Sequence, residues 1–165
     1  MKTNKILLGK RVLLVDDEKD VLETLVSLLE VCKIDTASSF EEGKRLLERG
    51  RYDAAILDIM GVKGFELLDI ARERSIPVLM LTAHALNEES LAKSIEDGAS
   101  YFVPKEEMGR IDVYLADVLE AIERKKNPWA RWYKRLGGTF DTAFTGPEWR
   151  ENQKEFLRKL RDAGR

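Results

Sequence analysis

Short, unbroken apolar runs alternate along this chain with stretches of helical period. Residues 11–16, RVLLVD, form an apolar run that ends in acid, and residues 18–31 then place Val21, Leu22, Leu25, Leu28 and Leu29 at helical spacing. The same strand-then-helix alternation predicts a strand over 34–37 and a helix over 40–49, then a strand over 54–57 and a helix over 64–74. Strands over 78–81 and 101–103 follow, with helices near 88–96 and 108–126. Five strands alternating with five helices predict an α/β fold, a five-stranded parallel sheet doubly wound with helices on both faces. AAIL at 54–57 and VLML at 78–81 are continuously apolar rather than alternating, as strands buried on both faces must be.

Asn127-Pro128 predicts a break, because the residue before a proline is pushed out of the helical region and proline suits a first helical turn. The expected organisation is therefore a domain over 1–126 and an aromatic-rich helical extension over 127–165. In the extension Trp129, Trp132, Tyr133 and Leu136 recur at helical spacing, Gly137-Gly138 interrupts, and Gly146-Pro147 opens a second helix carrying Trp149, Phe156, Leu157 and Leu160. So many aromatics require burial, against the first domain or across a homodimer. The extension is too short for a winged-helix or Fis-like module, and Glu148, Glu151 and Glu155 interrupt its basic residues. It reads as no DNA-binding domain.

Composition adds little to this picture. The 165 residues are 44% hydrophobic, enough for one sizeable core, and 30 acidic against 28 basic side chains leave a net charge of −2 that favours neither nucleic acid nor an anionic membrane. The single cysteine, Cys32, sits among apolar residues and reads as a small core-facing residue. The N-terminal MKTNKILLGKR lacks a signal peptide's apolar length, and no segment is apolar enough to span a bilayer, so the expected location is cytoplasmic.

In open parallel sheets ligands bind beyond the carboxyl ends of the strands. Here those ends carry Asp16, Asp17, Asp58, Thr82 and Lys105. Singly, each is ordinary; Asp17, for instance, precedes a helix and could serve as its N-cap. Together, three carboxylates at one edge repel each other unless a cation intervenes, and a hard ion such as Mg2+ suits oxygen donors of this kind. A lysine and a hydroxyl beside them complete a site for phosphoryl transfer, with Asp58 as the nucleophile at the mouth of the most apolar strand. Rival chemistries lack their residues. No P-loop or G-x-G-x-x-G is present, and the first strand ends in adjacent acids rather than the D-x-D of an aspartyl phosphatase.

The blocks VLLVDDE, AAILDIM, VLMLTAH and GASYFVPKE resemble, in order, the signature blocks of response-regulator receiver domains of the CheY-like superfamily, over roughly residues 10–126. The resemblance implies a flavodoxin-like (βα)5 fold and a signalling protein rather than an enzyme, with at most self-phosphorylation and self-dephosphorylation. It implies Asp58 as phosphoacceptor, with Thr82 and Lys105 assisting, and Mg2+ bound by Asp16, Asp17, Asp58 and the backbone carbonyl of Met60. It implies Thr82 and Phe102 as switch residues, and positions 60 and 84 as those that tune hydrolysis of the acyl phosphate. The implied partners are a histidine kinase or phosphotransfer protein upstream and a protein target downstream. Two features differ from the family pattern. The loop from Asp58 to Gly64 is shorter and lacks its Met-Pro, and Glu106 stands where a proline commonly follows the lysine. The alternative is a phosphorylation-independent scaffold acting through its helical tail.

Overall fold

A computed structural model describes residues 2–83 and 88–143. Its strands are β1 (Arg11–Val15), β2 (Lys33–Ala37), β3 (Ala54–Asp58), β4 (Val78–Thr82) and β5 (Tyr101–Pro104). Its helices are α1 (Lys2–Leu7), α2 (Lys19–Leu28), α3 (Phe40–Arg49), α4 (Gly64–Glu73), α5 (Glu88–Glu96), α6 (Ile111–Glu123) and α7 (Trp129–Ala143), with a 3₁₀ helix, Lys105–Arg110, before α6. The strands form one parallel sheet in the order β2-β1-β3-β4-β5. Chain order reverses direction at β1, so the crevice beside β1 and β3 is the topological switch point of the sheet.

The continuously apolar strands lie at the centre as their composition requires: every residue of β3 and β4 is buried. β2, with the pattern Lys-Ile-Asp-Thr-Ala, lies at one edge and is mostly exposed. On the helices the apolar period faces the sheet; α3 buries Leu47, and its first turn is capped by Ser39 Oγ, which accepts the Glu42 N–H at 3.2 Å. Helix α6 is buried nearly all round because α1, α2 and α7 all touch it.

Three segments depart from the sequence reading. An additional helix, α1, precedes β1; its Leu7 is wholly buried in the core, and Gly9 in a left-handed turn passes the chain on, its N–H donating to Val31 at 2.9 Å. The expected helix over 108–126 is split, with a 3₁₀ helix up to Arg110 and α6 beginning only at Ile111. The expected interruption at Gly137-Gly138 does not occur, and α7 runs through both glycines to Ala143. Two helical glycines cost about 1 kcal/mol each relative to alanine. Burial of Trp129, Trp132 and Leu136 in the same core as the sheet supplies more than that. The break at Asn127-Pro128 is present, and Asn127 Oδ1 accepts the Trp129 N–H at 2.9 Å to start α7. The second tail helix expected after Gly146-Pro147 lies outside the described residues, as does His84.

Candidate phosphoryl site

Strand register brings the predicted residues to one edge. Val15 of β1 pairs with Leu57 of β3, Asp58 with Leu81 of β4, and Thr82 with Pro104 of β5. Asp16, Asp58, Thr82 and Lys105 therefore gather at the same edge of the sheet, Thr82 one residue and Lys105 two residues beyond the level of Asp58. Asp16 and Asp58 are 1% and 3% exposed, so these are carboxylates withdrawn from water rather than surface acids.

Lys105 is the hub of the site. Its Nζ lies 2.9 Å from Asp16 Oδ2, 3.4 Å from Asp58 Oδ1 and 3.3 Å from Glu18 Oε1. Backbone donors hold the other carboxylate oxygens: Glu18 N–H to Asp16 Oδ1 at 2.8 Å, and Gly61 N–H to Asp58 Oδ2 at 3.1 Å. Burial pushes the Asp58 carboxyl above the usual carboxylate range, and the Asp16 charge adds to it; Lys105 and the Gly61 N–H pull the other way. Asp16 is raised too, chiefly by burial. For Lys105, burial opposes the ammonium, but Asp16, Asp58 and Glu18 together outweigh it and the pKa rises.

One atom is left over. Asp16 Oδ2 is buried and, although 2.9 Å from the Lys105 ammonium, receives no hydrogen bond of acceptable geometry. Carboxylate oxygens of Asp16, Asp17 and Glu18 lie within 4.8 Å of one another. An all-oxygen cluster with an unsatisfied buried acceptor fits a hard divalent cation.

Asp17 is exposed, and its carboxylate lies so close to Gly61 that a Cβ there would come within 2.1 Å of Oδ1. Asp17 does not cap α2, because the helix begins at Lys19 and the cap position falls on Glu18. Thr82 ends β4 and is buried. Met60 is 76% exposed, so its side chain stands in solvent. Phe102 is fully buried in β5 rather than at the acidic edge, and its carbonyl accepts the Trp132 indole N–H at 2.7 Å.

Sequence reasoning gave no role to Glu18 or Gly61. Glu18 stands inside the quoted VLLVDDE block, next to the acid pair, which was the available signal. Gly61 acts through its backbone and carried none. The two differences from the family pattern have visible structural counterparts. The short loop turns through Lys63 in the left-handed region (φ 55°) straight into Gly64 of α4. After β5 the chain enters the 3₁₀ helix directly at Lys105, and no peptide bond among the described residues is cis.

A doubly wound five-stranded parallel sheet with buried acids and one lysine at its switch point defines an α/β domain of the flavodoxin-like class. Residues 12–116 match the response regulator receiver domain family, and the chain belongs to it. It is a receiver domain of two-component signalling, a family of signalling proteins rather than conventional enzymes. It is similar to the transcriptional regulatory protein AfsQ1 of Streptomyces coelicolor, 33% identical over 68% of this chain and 52% of that protein. It is also similar to the heme response regulator HssR of Staphylococcus aureus, 41% identical over 48% of this chain and 38% of that protein. The chain thus spans about half or less of these curated relatives. Among solved structures, a CheY-like response regulator receiver domain protein from Methanospirillum hungatei is 28% identical, with a TM-score of 0.57 over 71% of this chain and 93% of that one. Among the described residues no helix is long and apolar enough to cross a membrane.

Proposed function

We propose that Asp58 accepts a phosphoryl group from a histidine kinase or phosphotransfer protein, and that the chain passes the signal on by protein–protein contact. The observation that carries this reading is the buried Asp58 carboxylate, fixed by the Gly61 N–H and by Lys105 at 3.4 Å, beside a second buried acid. In the transfer an Asp58 oxygen attacks phosphorus, the O–P bond of an acyl phosphate forms, and the P–N bond to the donor imidazole breaks. The departing imidazole takes up a proton. Lys105 offers charge to the phosphoryl oxygens, and the Thr82 hydroxyl, buried at the end of the neighbouring strand, offers a hydrogen bond.

In this reading Mg2+ is held by Asp16 and Asp17 with Asp58 and the Met60 carbonyl, and Glu18 is within reach of the same cluster. Bound there, the ion supplies neutralisation of the phosphoryl charge. Thr82 and Phe102 act as the switch residues. The apolar, exposed Met60 side chain cannot orient an attacking water, so the phosphoryl form is long-lived. We divide the chain into a receiver domain, 1–126, and a helical extension, 127–165. Incubating the chain with a small phosphodonor and Mg2+, followed by intact mass, tests the reading: one phosphoryl group is gained by the unmodified chain and none by Asp58→Asn. No gain in either would favour a phosphorylation-independent scaffold acting through the tail.

A further inference from the structure

We propose that α7 is a phosphoryl-controlled latch, seated on β5 in the unmodified chain and released when Asp58 carries phosphate; this rests on Asp58 being the phosphoacceptor.

The seat is built rather than incidental. β5 is the last strand of the sheet, and α7 lies against it. Trp132 is wholly buried, and its Nε1–H donates to the Phe102 carbonyl at 2.7 Å. Trp129, 4% exposed, donates to the Ala99 carbonyl at 2.9 Å. The two indoles pack edge to face with centroids 5.2 Å apart. One buried aromatic donor thus grips the backbone of β5, and a second grips the turn that leads into it. Charge fastens the same helix to α6. The Arg135 guanidinium makes a two-pronged contact with Asp117, its second nitrogen 3.1 Å from Oδ1, and Arg131 donates to Glu120 at 3.0 Å. Asp117 is itself buried and also accepts the hydroxyl of Tyr101, on β5, at 2.9 Å. Tyr101 and Phe102, adjacent on β5, are therefore both tied to α7, one through Asp117 and one directly.

The strand that α7 grips is also the strand that ends in the site. Lys105 follows Pro104 at the end of β5, only three residues beyond the carbonyl that Trp132 holds, and it is drawn inward by Asp16, Asp58 and Glu18. A phosphoryl group brings strong acceptor oxygens and roughly two negative charges. Placed on Asp58, it gives Lys105 a new partner and re-aims the end of β5. Hydrogen bonds to buried carbonyls tolerate only a few tenths of an ångström before they weaken. A shift of β5 therefore weakens the Trp132 contact first. Coupling of this kind is reciprocal: whatever loosens α7 must favour the phosphorylated arrangement by the same factor.

The test uses the full chain carrying Trp149→Phe, so that Trp129 and Trp132 are the only tryptophans and are excited selectively. Phosphoramidate and Mg2+ are added, and intact mass and acrylamide quenching are read on the same sample. Phosphate on the chain with a several-fold rise in quenching is the expected result, with no change for Asp58→Asn. In a second arm, Trp132→Phe keeps the ring contact but removes the donor. It should bind beryllofluoride, a non-covalent phosphoryl mimic, about fivefold more tightly with Mg2+, the factor that one net hydrogen bond of ~1 kcal/mol represents. Phosphate gained without any change in quenching, or with the indoles better protected, overturns the latch and leaves the phosphoacceptor standing. No phosphate gained overturns both. Unchanged beryllofluoride affinity in Trp132→Phe also overturns the latch.

Discussion

Gly64→Ala is the sharpest structural test of the short loop after Asp58. At this position a Cβ would lie 2.3 Å from the Asp58 carbonyl oxygen, 2.8 Å from Ile59 Cα and 2.9 Å from the Asp58 carbonyl carbon. All three are backbone atoms, so no side chain can swing aside to relieve the contact. The turn is further pinned by the Gly64 N–H, which donates to Ile59 at 3.0 Å, and by Lys63 in the left-handed region just before it. Overpacking of this kind costs about 1–3 kcal/mol, and immovable backbone puts it at about 3. For a chain of this size, each kcal/mol moves Tm by about 2–4 °C, so a fall of about 6–12 °C is expected. Thermal unfolding followed by circular dichroism reads it, with Gly138→Ala as the contrast. There a Cβ meets nothing within 4 Å, and the helix should gain about 0.5–1 kcal/mol. Because relief at Gly64 must displace the Asp58 backbone, phosphoryl uptake should fall in the first variant and not in the second. A Gly64→Ala chain that melts within about 2 °C of the parent would refute the steric reasoning, since that is less than the ~1 kcal/mol minimum allows.

Two further outcomes follow from buried titratable groups. Burial pushes the Cys32 thiol up to about 11, and the group is held against the Leu7 carbonyl at 3.5 Å. Labelling by a thiol reagent at pH 8 should therefore run about 100-fold slower than for a free cysteine and rise steadily toward pH 11; a rate equal to that of a free thiol contradicts this. Asp58 has its pKa raised in the folded chain, so the fold binds that proton more tightly than the unfolded chain does, and its ionisation destabilises the fold as pH rises through the folded value. Asp58→Asn should accordingly raise Tm at pH 7 when no Mg2+ is present, with the gain shrinking as pH falls toward 4. A gain independent of pH would remove the electrostatic explanation.

Much of this molecule was legible because its central strands β3 and β4 are short and almost wholly apolar, and the chemistry sits where those runs stop. Asp16, Asp58, Thr82 and Lys105 could be gathered from strand ends alone, since parallel strands bring their carboxyl ends to one edge. What the pattern could not carry depends on tertiary contact. Helix α1 has no apolar repeat, and one buried leucine, Leu7, anchors it in the core. The passage of α7 through Gly137 and Gly138 runs against local propensity and is supported by the neighbouring Trp132 and Leu136. The Gly61 donor to Asp58 is a backbone group, which side-chain reasoning overlooks. The tail aromatics announced burial; that their indole nitrogens would hold β5 at Phe102 and the turn before it at Ala99 required the structure.

The measurement closest to the central claim traps the modified residue itself. After incubation with phosphodonor and Mg2+, borohydride reduces an aspartyl phosphate to the corresponding alcohol with loss of phosphate, and peptide mass then locates it. Homoserine is expected at position 58 and nowhere else. Reduction at another aspartate, or none in a sample whose intact mass shows bound phosphate, would contradict it.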